Sequence, residues 1–258
     1  MMLEHTFVHL PGVGHGTESS LWKRGVTTWS EFLSERRLPR ISDDRKVAMD
    51  AQLLEGCQRL RDSDSRYFRA KLPERHMWRL LEDFRPRTVY LDIETTGISL
   101  RSPVTVVGVH AGGRTHTLVR GRDLNGPNLE GILSAADLLV TFNGKGFDMP
   151  VLRAQFPGWV PDVPHVDLRH LLARLGHRGG LKAIERDLGV TRDRRLEMMT
   201  GADAVYLWRL WERQGSRNAL DLLIEYNSAD CENLRGLADY AYKRMMRQTF
   251  AAVARRKP

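Results

Sequence analysis

The polar and apolar positions fall into two regimes along the chain. Up to about residue 85 the apolar residues recur at helical spacing between polar, glycine-containing turns. From Thr88 onward, short apolar runs of strand length alternate with helical patterns. VYLDIETTG (89–97) opens this second regime with strand-favouring residues. VTVVGVH (104–110) and RTHTLVR (114–120) are two more strands, and Gly112-Gly113 between them predicts a tight hairpin turn. A helix over 129–136 leads to the strand LLVTF (138–142), a helix over 146–156 and a short strand over 165–168. Helices then follow over 168–175, 181–188, 202–213 and 216 to about 247. Strands joined first by hairpins and then by helices predict a mixed sheet with helices packed on it.

In the first regime, LPGVGHG (10–16) is a glycine-rich turn before a short helix. A second glycine turn at Gly25 precedes TTWSEFL (27–33). This is a helix-hairpin-helix-like start, whose free backbone N–H groups could hold a phosphate; a small helical hairpin packing its Trp and Leu side chains has the same pattern. Residues 34–46 read as a charged loop. A helix over 47–61 follows, with Ala48, Leu53, Leu54 and Leu60 as its apolar positions. The breaker Arg85-Pro86-Arg87 marks a boundary. The expected organisation is a helical region over 1–85, an α/β domain over 86–247 and a basic tail over 248–258.

Composition narrows the classes. With 258 residues, 41% hydrophobic and 28% charged, the chain is of globular type. No apolar run reaches membrane-spanning length, and the first residues lack a signal-peptide pattern. Two cysteines do not build a disulfide framework, which suits a reduced, cytoplasmic setting. The net charge of +8 suggests a polyanionic partner, with nucleic acid foremost. From residue 243 to the end there are six basic residues and no acid, which is also what a solvated helix end looks like.

Three spacings carry candidate chemistry. Asp92 and Glu94 lie two apart on a strand, so their side chains share a face. Adjacent carboxylates repel, and a hard divalent cation such as Mg²⁺ or Mn²⁺ resolves that repulsion; two solvated acids at a strand end give the same pattern. Asn143-Gly144 ends an apolar strand, and Asp148 falls in the first turn of the next helix. Such an acid is favoured by the helix dipole even without a ligand. Tyr226 and Asp230 share one face of a late helix whose preceding segment is apolar, so that face points inward.

In this order, Asp-x-Glu, Asn-Gly-x-x-Phe-Asp and Tyr-x-x-x-Asp resemble the motifs of the DEDD exonuclease superfamily in its tyrosine-containing subgroup. LPGVG, WRLLEDF, HVDLRHLLARLG, GGLKAIERDLGV and GADAVYLW extend the resemblance over nearly the whole chain, to the bacterial YprB-like exonuclease family. The resemblance implies an RNase H-like (DnaQ-like) α/β fold with a five-stranded mixed sheet and an N-terminal helical extension. It implies a 3′–5′ exonuclease acting on single-stranded DNA or RNA 3′ ends and releasing nucleoside 5′-monophosphates. Asp92, Glu94, Asp148 and Asp230 would hold two Mg²⁺ or Mn²⁺ ions, and Tyr226 would orient the attacking water. Thr95, Thr96, Asn143 and Phe147 would contact the strand, Phe147 being equally a core candidate. Asp167 reads as a cap for the helix that follows it. His177 to Lys182 is a basic helix start that could touch phosphate. The competing readings are a non-catalytic nucleic-acid-binding module and a structure-specific endonuclease of the same fold.

Overall fold

The computed structural model describes residues 1–254; the basic residues Arg255, Arg256 and Lys257 lie outside the described range. The chain divides into two compact units. One comprises Pro86–Ala241, and the other Met1–Arg85 together with the residues from Tyr242 onward.

The Pro86–Ala241 unit is built on a five-stranded sheet of order β3-β2-β1-β4-β5. The strands are β1 (Thr88–Thr95), β2 (Val104–Ala111), β3 (Arg114–Val119), β4 (Leu138–Thr141) and β5 (His165–Asp167). β1 runs antiparallel to β2 and parallel to β4, so the strand carrying Asp92 and Glu94 is central. Gly112 and Gly113 both have positive φ, 56° and 78°. That pair of left-handed residues is what a two-residue hairpin turn with the sheet's own twist requires.

The sheet is covered on both faces. The side chains of Val89, Leu91 and Ile93 pack with Leu129, Leu133, Met149 and Leu152. These come from α5 (Gly126–Leu133) and α6 (Asp148–Gln155). On the opposite face Val106 packs with Trp208, Leu220, Leu223 and Tyr226. Those belong to α10 (Gly201–Gln214) and α11 (Arg217–Ala254). Asp92 and Glu94 have the opposite parity to Leu91 and Ile93, so they emerge on the α11 face. The same face receives Gly108 of β2, which pairs with Asp92. Between β5 and α10 the chain forms α7 (Leu168–Arg174), α8 (Leu181–Asp187) and the four-residue α9 (Arg194–Glu197), which the apolar pattern is too short to signal.

The other unit carries α1 (His15–Lys23), α2 (Trp29–Ser34), α3 (Asp43–Arg61) and α4 (Ser65–Lys71). Helix α3 begins at Asp43, inside the expected loop. Two acids in its first turn, Asp43 and Asp44, explain the early start. Its buried face is Lys46, Met49, Leu53 and Gly56, whereas Leu54 is exposed and Ala48 faces solvent. The apolar residues mislead because the Lys46 ammonium sits over the Phe32 ring and pairs with Asp50 at 2.6 Å. Its aliphatic stem therefore belongs to the core. The segment Glu74–Leu80 is a 3₁₀ helix and buries Trp78 and Arg79.

Candidate metal and catalytic site

Three elements bring acidic side chains together around β1. β1 brings Asp92 and Glu94, the start of α6 brings Asp148, and α11 brings Tyr226 and Asp230. One carboxylate oxygen from each of Asp92, Glu94 and Asp230 falls within 4.8 Å of the other two. Asp148 stands outside that group of three, yet close enough for its charge to act on both Asp92 and Glu94. Glu94, Asp148 and Asp230 are buried; Asp92 keeps some exposure.

The electrostatics follow from this crowding. Burial, and then the charges of Asp230, Glu94 and Asp148, push the Asp92 carboxyl well above its ordinary range. Glu94 is raised in the same way by burial, Asp230 and Asp148. Burial lifts Asp148 to about 7. It lifts Asp230 to about 6, against the pull of Arg192. The Tyr226 phenol is also driven up, by burial and then by Asp230, Glu94 and Asp92, so it is a protonated donor at neutral pH. Hard oxygen donors converging at this spacing, each disfavoured as a bare anion, are a donor set suited to Mg²⁺ or Mn²⁺.

Two residues that the sequence pattern does not single out hold the carboxylates. The Arg192 side chain is buried: it grips Glu185 through Nε at 2.6 Å and Nη2 at 2.5 Å, and its Nη1 forms an ion pair with Asp230. Asn233 donates to the same Glu185 at 3.0 Å. Arg192 sits in TRDRR, where one guanidinium looks like any other; only Glu185 and Asp230, brought in by α8 and α11, mark it. The second residue is Asn227, whose amide nitrogen lies 2.9 Å from Asp92 Oδ2. Lys182, from the basic helix start, places its ammonium 4.3 Å from the Tyr226 ring centroid. It donates to the Leu196 and Met199 carbonyls, which holds it beside the acids.

The expected strand-contacting residues lie at and just beyond the end of β1 and in the loop between β4 and α6. Thr95 is buried and donates to the Gly97 carbonyl at 2.5 Å, while the Thr96 N–H donates to Pro103 at 3.0 Å. Asn143 adopts φ +66°, a left-handed conformation that Asn tolerates. Its side-chain oxygen accepts from Arg169 at 2.7 Å. Phe147 is half-buried against the α5–α6 side of the core. Asp167 caps α7 by accepting from the Arg169 N–H. It also accepts from the Asn143 and Lys145 N–H groups at 2.8 and 3.1 Å, so it fixes the loop that leads to Asp148.

A family model described as RNase_H superfamily matches residues 89–242, more than half of the chain. The chain belongs to this superfamily. The RNase_H superfamily match begins in β1 and takes in every residue of the acidic centre, from Asp92 to Asp230. A solved structure titled "apo form of the nuclease" is similar to this RNase_H superfamily chain at 23% identity and a TM-score of 0.46, covering 67% of this chain and 83% of that one. Comparison with curated proteins gave no match. Among the described residues, no helix is long and apolar enough to cross a membrane, and both cysteines are free thiols.

Proposed function

We propose that this chain is a divalent-metal-dependent nuclease, and specifically a 3′–5′ exonuclease that shortens single-stranded DNA or RNA to nucleoside 5′-monophosphates. The observation that carries the proposal is the convergence of Asp92, Glu94 and Asp230 donor oxygens within 4.8 Å beside the Tyr226 phenol. Membership of the RNase_H superfamily agrees with phosphodiester hydrolysis. Asp92, Glu94 and Asp230 would hold Mg²⁺ or Mn²⁺, with Asp148 completing the set for a second ion. When bound, such ions supply the positive charge that activates a water and stabilises the leaving 3′ oxygen.

The chain's own residues do the rest. The protonated Tyr226 hydroxyl donates a hydrogen bond and orients the attacking water rather than removing its proton. Thr95 and Thr96 border the terminal nucleotide. Asn143 and the exposed part of Phe147 flank the strand, where the ring is available to a base. The DEDD-type, tyrosine-containing assignment and the likeness to the YprB-like family belong to this proposal, as does a cytoplasmic location.

A gel assay tests it. Single-stranded DNA and RNA labelled at the 5′ end are incubated with Mn²⁺, Mg²⁺ or EDTA, beside Asp92→Ala. The expected result is a ladder shortening by single nucleotides from the 3′ end, absent in EDTA and in the variant. Internal fragments would replace the exonuclease with an endonuclease. Retarded but uncut strands in both metals would leave a binding module and remove the catalytic roles assigned here.

A further inference from the structure

Asn227 follows Tyr226 on α11 and is fully buried. Its amide nitrogen donates to Asp92 Oδ2 at 2.9 Å and lies 3.3 Å from the Asp92 backbone carbonyl. Its other end, Oδ1, is buried with no hydrogen-bond partner among the described residues. Reversing the amide would not help, because it would set Oδ1 lone pairs against the Asp92 backbone carbonyl, which can only accept. The residue therefore spends its donor on Asp92 and leaves its acceptor unsatisfied, which is unfavourable for a group that only fills space.

The opposite strand is shaped for the same contact. Gly108 pairs with Asp92 across β1 and β2. A Cβ at Gly108 would lie 2.1 Å from Asn227 Oδ1 and 2.7 Å from Cys231 Sγ. Gly108 has no positive φ to explain it. Its lack of a side chain is what admits the Asn227 amide to the sheet surface.

We infer that Asn227 is a positioning residue, which fixes the Asp92 carboxylate in the orientation needed to ligate a metal, and that Gly108 exists to let it do so. The inference rests on the metal-binding reading above. Outer partners that orient a ligand typically change metal affinity by 10–100-fold when removed.

The test compares Mn²⁺ binding, followed by the loss of the free-ion signal in electron paramagnetic resonance, with metal-free thermal unfolding of the same full-length chains. Asn227→Leu keeps the branching and the number of heavy atoms of the side chain but has no donor, and it also removes the unpaired oxygen. Gly108→Ala pushes the amide away without touching it chemically. Leu129→Ala, in the core on the other face of the sheet, is a control for destabilisation alone. The expected result is a Kd for Mn²⁺ weakened by 10–100-fold in Asn227→Leu and Gly108→Ala, with Asn227→Leu melting close to the unaltered chain and Leu129→Ala melting lower with its Kd unchanged. An unchanged Kd in Asn227→Leu, while the unaltered chain binds Mn²⁺, overturns the inference and leaves the metal site standing. No Mn²⁺ binding by the unaltered chain overturns the metal reading itself, and the inference with it.

Discussion

Glu18 and Glu94 are both buried glutamates, and their surroundings differ in kind. Glu18, in the unit that contains the N-terminus, is met by Arg79 in a two-pronged contact at 2.7 and 2.8 Å. The Phe7 and Val8 N–H groups also donate to it, at 2.7 and 3.2 Å. Glu94, in the Pro86–Ala241 unit, has Asp92, Asp148 and Asp230 for neighbours, with Lys182 the cation acting on it. One site surrounds a buried carboxylate with donors; the other surrounds it with carboxylates. The first arrangement is complete as it stands. The second keeps a repulsion that Arg192, Asn227 and Lys182 relieve only in part, and it makes sense as a place for a ligand of opposite charge.

The largest effect should come from breaking the completed pair. Arg79→Met leaves Glu18 charged and unpartnered in the core, and urea unfolding should show a loss of about 3–5 kcal/mol. Glu18→Leu/Arg79→Met together should recover most of it, because two apolar residues leave no buried charge behind. If the double variant is no better than the single one, packing around Arg79 matters more than the charge. The Arg79 guanidinium lies 5.8 Å from the Trp22 ring and 5.7 Å from that of Trp78, so such packing is present.

The same operation on the acidic centre should have the opposite sign. Glu94→Gln removes one of the mutually repelling carboxylates, and the metal-free chain should gain about 1 kcal/mol in urea unfolding. Its rate of strand hydrolysis should fall by at least about a hundredfold. Stabilisation by Mn²⁺ should shrink as well. A Glu94→Gln chain that is both less stable and equally active would erase the contrast between the two sites.

The contrast was only partly legible in the chain. Strands β1 to β3 could be read almost to the residue, because alternation and the Gly112-Gly113 turn are local signals. Asp92 and Glu94 could be placed on one face by spacing alone, and Tyr226 with Asp230 by helical periodicity. What spacing cannot show is which distant side chain arrives beside them. Arg192 is one of three basic residues within the five positions 191–195, with Arg186 a little upstream, and its side chain is buried only because Glu185 and Asp230 converge on it. Asn227 reads as a polar residue in a helix until Gly108 opens the sheet to it. The Glu18–Arg79 pair spans 61 positions, and neither residue carries a local mark.

A pH series sharpens the comparison further. Asp148 and Asp230 are raised from 3.8 to about 7 and about 6. The folded chain therefore holds these protons more tightly than the unfolded chain. This contribution is fully present below about pH 4 and is lost as pH rises through 6 and 7. Metal-free stability should fall across that window, by up to about 1.4 kcal/mol per pH unit for each group. Asp148→Asn should flatten the upper part of the slope. Saturating Mn²⁺ should flatten all of it, since a bound cation favours the deprotonated carboxylates. A metal-free stability that climbs steadily from pH 4 to 7 would contradict the crowded arrangement.

The smallest effect separates burial from hydrogen bonding. Glu31 is an exposed acid, yet its carboxylate accepts from the Thr27 N–H at 2.6 Å and from the Thr27 hydroxyl and the Thr28 N–H at 2.8 Å. Thr28 returns the contact by accepting from the Glu31 N–H, which closes a capping box at the start of α2. The Thr27 hydroxyl and N–H hold the Glu31 carboxyl below its ordinary value. Its pH dependence therefore has the reverse sign to that of Asp148: its contribution is present above the unfolded value and lost as pH falls through the folded one. Thr28→Ala should lower stability by about 1 kcal/mol at neutral pH, read from the urea midpoint, and leave Mn²⁺ affinity unchanged. Glu31 accepts from three donors where Glu18 accepts from four, but water competes for its carboxylate. A Thr28→Ala loss as large as that of Arg79→Met would mean that donor count, and not burial, sets what a satisfied acid contributes here.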